Sequence, residues 1–144
     1  MSIKQISVFL ENKPGTLKKL TSVMAKNKID MRATSLAETK DFGIARIIVD
    51  DALEVVNTLK ENDFVASLTS VLAVEIPDEA GGLDKLLEAF DTENVNIEYM
   101  YAFPGGKDVN SACMIFRVAD TKAAEARLTG KGVKILTQDD IANI

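Results

Sequence analysis

The sequence contains no histidine, no tryptophan, one cysteine and three prolines, and 6% of its residues are aromatic. Each scarcity excludes something. Without histidine there is no imidazole general base and no Ser-His or Cys-His nucleophile pair. One thiol, Cys113, without imidazoles cannot assemble an ordinary structural zinc site. A lone cysteine forms no internal disulfide, which fits a reducing, cytoplasmic setting. Apolar runs stop far short of the ~20 residues that span a bilayer. Met1-Ser2-Ile3-Lys4-Gln5-Ile6 turns polar too early for a signal-peptide core. Basic residues are outnumbered 17 to 22, leaving a net charge of −5. Duplex-binding faces announce themselves as basic domains or stripes, so no nucleic-acid partner is expected.

What is present is a repeat. By length and a 47% apolar content the 144 residues suit one soluble domain. An offset of 66 nevertheless lays Val8, Gly15, Leu17, Lys19 and Leu20 on Val74, Gly81, Leu83, Lys85 and Leu86. The same offset pairs Ile6, Leu10, Met24, Ile29 and Met31 with Leu72, Ile76, Phe90, Val95 and Ile97. Beyond Lys107 the offset becomes 69, and Val49, Asp51, Leu59 and Phe64 meet Val118, Asp120, Leu128 and Val133. A hairpin loop at Pro104-Gly105-Gly106-Lys107 absorbs the three extra residues.

Each copy predicts the same elements. Ile6, Val8 and Leu10 alternate with Ser7, Phe9 and Glu11 as a period-2 strand. Pro14-Gly15 breaks it, with Pro14 expected at the first helical position. Leu17, Leu20, Thr21 and Met24 form an amphipathic stripe, repeated as Leu83, Leu86, Leu87 and Phe90. A second strand is expected through Ile29, Met31 and Ala33, and a third, central one from Ile44 to Val49. Asp50 or Asp51 caps a second helix, and a fourth strand begins near Phe64. Copy two reads as strand Leu72–Ile76, helix Leu83–Thr92, strand Val95–Phe103, strand Ser111–Val118, helix Thr121–Thr129 and strand Val133–Leu136. The expectation is α+β: two ferredoxin-like βαββαβ units, residues 1–70 and 71–144, with antiparallel sheets, helices on one face, and the units packed side by side. The stretch from Phe64 to Ile76 has no Gly or Pro, so no flexible tether is expected between them.

The polar groups at the two strand-to-helix turns suit a small zwitterion, in which a carboxylate and an ammonium lie a few ångström apart. Helix-start amides of Gly15, Thr16 and Leu17, or of Gly81, Gly82 and Leu83, suit the carboxylate. Oxygens of Asn12, Asp30, Asp78 and Asn96 suit the ammonium, while Asn12 and Asp78 also read as helix caps. Tyr99 and Tyr101 read as interface packing, Cys113 as a buried small hydrophobe, and Asp50, Asp51, Asp139 and Asp140 as caps and solubilising termini without metal or acid–base spacing.

Glu11-Asn12-Lys13-Pro14-Gly15-Thr16-Leu17 resembles the strand-to-helix turn of an ACT domain, and Lys28-Ile29-Asp30-Met31 and Asn94-Val95-Asn96-Ile97 resemble the start of its second strand. The resemblance covers nearly the whole chain as two tandem domains. Copy two departs at Ala80, where the family favours Pro, and at Gly81-Gly82. The resemblance implies a non-catalytic regulatory protein that binds a free amino acid where ACT domains meet. Its implied contacts are Asn12, Pro14, Gly15, Thr16, Leu17, Asp30 and Met31, with Asp78, Ala80, Gly81, Gly82, Leu83, Asn96 and Ile97 in copy two. No cofactor is implied. A regulated enzyme would be a separate polypeptide, and open sheet edges favour a homodimer. The alternative is a dissociable regulatory subunit of a biosynthetic enzyme, similar in its first 70 or so residues to acetolactate synthase small subunits and acting mainly through protein contact.

Overall fold

Alternation in the first strand places Ile6, Val8 and Leu10 on one face, and in the computed structural model all three are buried. The structure describes residues 2–105 and 109–144. They form β1 (Ile3–Glu11), α1 (Thr16–Lys26), β2 (Ala33–Glu38), β3 (Phe42–Ile48), α2 (Ala52–Glu61), β4 (Val65–Pro77), α3 (Gly82–Thr92), β5 (Tyr99–Phe103), β6 (Ser111–Arg117), α4 (Thr121–Gly130), β7 (Lys134–Leu136) and α5 (Gln138–Ala142). Two compact units result: an N-terminal unit, Lys4–Thr69, and a C-terminal unit, Ser70–Ile144 with the segment through Ile3.

In the N-terminal unit the strand order is β2-β3-β1-β4, with β3 antiparallel to both neighbours. In the C-terminal unit it is β5-β6-β4-β7, again antiparallel. These are the same ferredoxin-like order, since β5, β6, the later part of β4 and β7 take the places of β2, β3, β1 and β4. The expected two strands around Phe64–Ile76 are one element, β4, whose first residues serve one unit and its last residues the other. No Gly, Pro, Asn or Asp there breaks the strand.

Each unit has a packed cluster, and eight positions of one correspond to eight of the other. Ile6, Val8, Leu20, Met24, Ile47, Val49, Val55 and Leu59 pack in the first. Leu72, Val74, Leu86, Phe90, Phe116, Val118, Ala124 and Leu128 pack in the second. Each residue of the second set stands 66 or 69 places after its partner in the first. Phe90 and Phe116, with ring centroids 4.8 Å apart, replace Met24 and Ile47, and Ala124 in place of Val55 returns some of the volume.

Helix ends repeat as well. After α1 the amides of Lys28 and Ile29 return to the carbonyls of Ala25 and Met24, with Lys28 at φ 56°. This is a Schellman ending, in which the residue past the cap turns left-handed. Asp63 (φ 67°), Asn94 (φ 54°) and Gly132 (φ 81°) end α2, α3 and α4 in the same way.

Some expectations need correction. The second strands begin later, at Ala33 and Tyr99, because Ile29 and Val95 spend their amides on the helix endings instead of a ladder. Pro14 is not the first helical residue; Gly15 is the N-cap and α1 starts at Thr16. Of the two aspartates before α2, Asp51 is the cap, accepting from the Glu54 amide at 3.0 Å. A helix not expected, α5, closes the chain on a capping box. There the Asp140 amide donates to the Thr137 hydroxyl and the Thr137 amide to the Asp140 carboxylate. Gly106 and Lys107 of the expected hairpin loop lie outside the described residues.

Candidate functional site

The β1–α1 turn of the N-terminal unit is built by a break and a tie. Past the end of β1, Pro14 carries no amide donor, and Gly15 follows at φ 89°, a conformation a side chain resists. Asn12 is not a helix cap. Its amide donates to the Asp41 carbonyl at 2.9 Å and its side-chain nitrogen to the Thr39 and Lys40 carbonyls at 3.0 and 3.4 Å, tying the turn to the β2–β3 hairpin. The Thr16 hydroxyl donates back to the Glu11 carbonyl at 2.8 Å and the Lys13 carbonyl at 3.1 Å. Lys13 pairs with Glu11, whose carboxyl is held below its ordinary value by that lysine.

Two grooves flank this turn. One, of about 610 Å³, runs past Phe9, Phe42, Phe64 and Val65, with Lys13 and Lys19 at its rim. Phe9 and Phe42 are each nearly half exposed, with ring centroids 5.0 Å apart. The Lys19 ammonium stands 5.8 Å above the Phe64 ring. The second, of about 260 Å³, is lined by the turn and by β2–β3, with Leu17, Leu36 and Gly43 among its walls.

Asp30 and Asn96 lie elsewhere. Eleven residues of α1 carry the chain about 16 Å back from the turn before Asp30 is reached. Asp30 lines a polar groove of about 300 Å³ with Asp50, Asp51 and Glu54. Arg32 binds Asp50 there through two nitrogens, at 3.0 and 3.2 Å, and approaches Asp30 at 3.9 Å. Asn96 lines the matching groove of about 260 Å³ with Asp120 and Arg127. Met31 packs on the first core, and Ile97 and Leu83 on the second. Within one unit, therefore, the turn cluster and the strand-start cluster occupy opposite ends and do not meet.

The C-terminal turn is built differently. Asp78 places its amide on the Asn110 carbonyl at 2.8 Å, as Asn12 does on Asp41, and Gly81 repeats the left-handed cap at φ 85°. Ala80 sits where Pro14 stands, and Gly82 where Thr16 stands. A β-carbon on Gly82 would run into the Pro77 carbonyl oxygen, the counterpart of the carbonyl that Thr16 bonds. Gly82→Ala is accordingly expected to destabilise the protein by about 2 kcal/mol, since the obstacle is backbone and cannot rotate aside. Thermal unfolding of the variant checks this.

Sequence reasoning missed Phe9, Phe42, Phe64 and Val65 as groove walls. Phe9 was the available signal: an aromatic between Ser7 and Glu11 on the outward face of β1. The others arrive from the β2–β3 hairpin and from where α2 gives way to β4, which only the fold brings to the turn.

Two βαββαβ units with matching cores and matching strand-to-helix turns define a tandem pair of ferredoxin-like modules. The chain belongs to the ACT domain pair family, whose model matches residues 1–144. Among solved structures it is similar to a protein of Bacteroides thetaiotaomicron at 38% identity and a TM-score of 0.90, over 100% of this chain and 98% of that one. Regulatory subunits of aspartate kinase from Thermus flavus and Thermus thermophilus share the fold. Their identities are 17% and 18%, each with a TM-score of 0.63 and 90% of both chains covered. No curated protein matches the sequence. Among the described residues no helix is long and apolar enough to cross a membrane, and no cluster of His, Cys, Asp and Glu suits a metal ion.

Proposed function

We propose that this chain is a non-catalytic sensor that binds a free amino acid at the β1–α1 turn of an ACT domain and regulates a partner on a separate polypeptide. The supporting observation is the N-terminal turn. First-turn amides of α1, which an intact helix leaves without i−4 partners, lie beside a groove large enough for a small ligand, the Thr16 amide meeting the Lys13 carbonyl only at 3.5 Å. The carboxylate of the ligand takes the Gly15–Leu17 amides and the ammonium takes nearby oxygens. Since Asp30 and Asn96 lie at the far end of their own units, their place in the site depends on a second ACT domain facing the turn. The division at residues 70 and 71, the homodimer and the cytoplasmic setting belong to the same reading. Regulation follows if the ligand binds one arrangement of the protein better than another and a partner distinguishes the two.

A thermal-shift screen of the full chain against the twenty amino acids tests this. A ligand at a hundredfold its Kd adds about 2.7 kcal/mol to the folded state, enough to raise the midpoint by several degrees. At least one amino acid is expected to do so at millimolar concentration; a flat panel overturns the proposal.

A further inference from the structure

The larger groove at the N-terminal turn has a chemistry more specific than its family membership requires. Its lining is hydrocarbon contributed by three separate segments: Phe9 from β1, Phe42 from β3, and Phe64 with Val65 from the passage of α2 into β4. Phe9, Phe42 and Val65 are 46%, 45% and 72% exposed, although the unit has a complete core on the other face of its sheet. Rings lying 5.0 Å apart and inclined by 40° leave faces and edges for a third ring at ordinary offset or edge-to-face spacing. Lys13 and Lys19 supply positive charge at the rim, and Glu11 and Asp63 supply negative charge. A volume of about 610 Å³ is generous for a short side chain.

The C-terminal unit keeps Lys85 at the place of Lys19 but has none of the three aromatic residues of the lining. At the matching positions Glu75 replaces Phe9, Glu79 replaces Lys13, Val133 replaces Phe64 and Lys134 replaces Val65. Glu75 and Lys134 join at 2.8 Å across neighbouring strands, so an ion pair stands where the other unit exposes its apolar lining.

Building on the sensor reading above, we propose that the N-terminal groove selects an α-amino acid with an aromatic side chain, and that each chain carries one such site. The ring of the ligand lies against Phe9 and Phe42 while its carboxylate faces the start of α1.

Isothermal titration of the full-length protein with phenylalanine, tyrosine, tryptophan, leucine, valine, serine, aspartate and lysine tests this. Wild type is expected to bind an aromatic member tightest, with one ligand per chain. Phe9→Ala and Phe42→Ala are each expected to weaken that ligand at least tenfold. Leu53→Ala, an exposed change on α2, leaves it within twofold. Circular dichroism confirms that the variants fold. If an aliphatic or polar amino acid binds tightest, if both phenylalanine variants stay within twofold, or if two ligands bind per chain, the aromatic single-site proposal is overturned and the sensor reading stands. If no amino acid binds wild type, both are overturned.

Discussion

Replacing Phe90 with alanine is expected to lower the unfolding free energy by about 3–5 kcal/mol, measured by urea or thermal denaturation. Phe90 is 2% exposed and is among the largest fully buried side chains of the C-terminal unit. It projects from α3 onto Phe116 of β6, among Leu72, Leu86 and Leu128. Alanine removes both the transfer free energy of the ring and the contacts of the atoms that surrounded it, because a close-packed interior relaxes only partly. A smaller change calibrates the large one. Phe90→Met installs the residue that the N-terminal unit uses at the same place, Met24, and is expected to cost under about 1.5 kcal/mol. If alanine and methionine cost the same, the packing account of this core fails.

Cys113 is expected to be nearly inert towards alkylating and disulfide reagents in the folded protein. It is fully buried in β6, and burial, reinforced by the Glu75 carboxylate opposite it, pushes the thiol from an ordinary value of 9.0 up to about 12. The sign is clear. Raising the pKa disfavours the thiolate, which is the reactive form. Below the ordinary value, a shift of this size leaves about a thousandfold less thiolate at any given pH. Ellman's reagent at pH 8 should find no fast-reacting thiol in native protein and one equivalent after unfolding. Rapid stoichiometric labelling of the native state would refute the burial on which the prediction rests.

The fold was legible because its signals are periodic and occur twice. Val8 with Val74, Leu20 with Leu86 and Leu59 with Leu128 keep one apolar register through strand, helix and helix, and those pairs sit in the matching clusters of the two units. The second-strand starts were misplaced for a local reason. Ile29 and Met31 have strand-like spacing, but the Ile29 amide is already taken by the Met24 carbonyl, and no periodicity reports a helix ending. α5 was missed because five residues are too few for a stripe, and Asp139-Asp140 reads as a polar tail until Thr137 is seen to share a capping box with Asp140. At the site, Pro14-Gly15 announces its turn in one dimension. The groove walls do not, because Phe42 and Phe64 reach Phe9 only through strand pairing and a returning helix.

The four left-handed residues that end α1 to α4 carry a consequence of their own. Lys28 corresponds to Asn94, and Asp63 to Gly132, so the two halves disagree in side chain at both places yet agree in the sign of φ. What the halves share is handedness more than chemistry. A comparison that scores side chains alone is therefore blind at the positions where the chain reverses direction. Each half also serves as a template for the other, with the asparagine and glycine of the second marking the residues that the backbone of the first already accommodates.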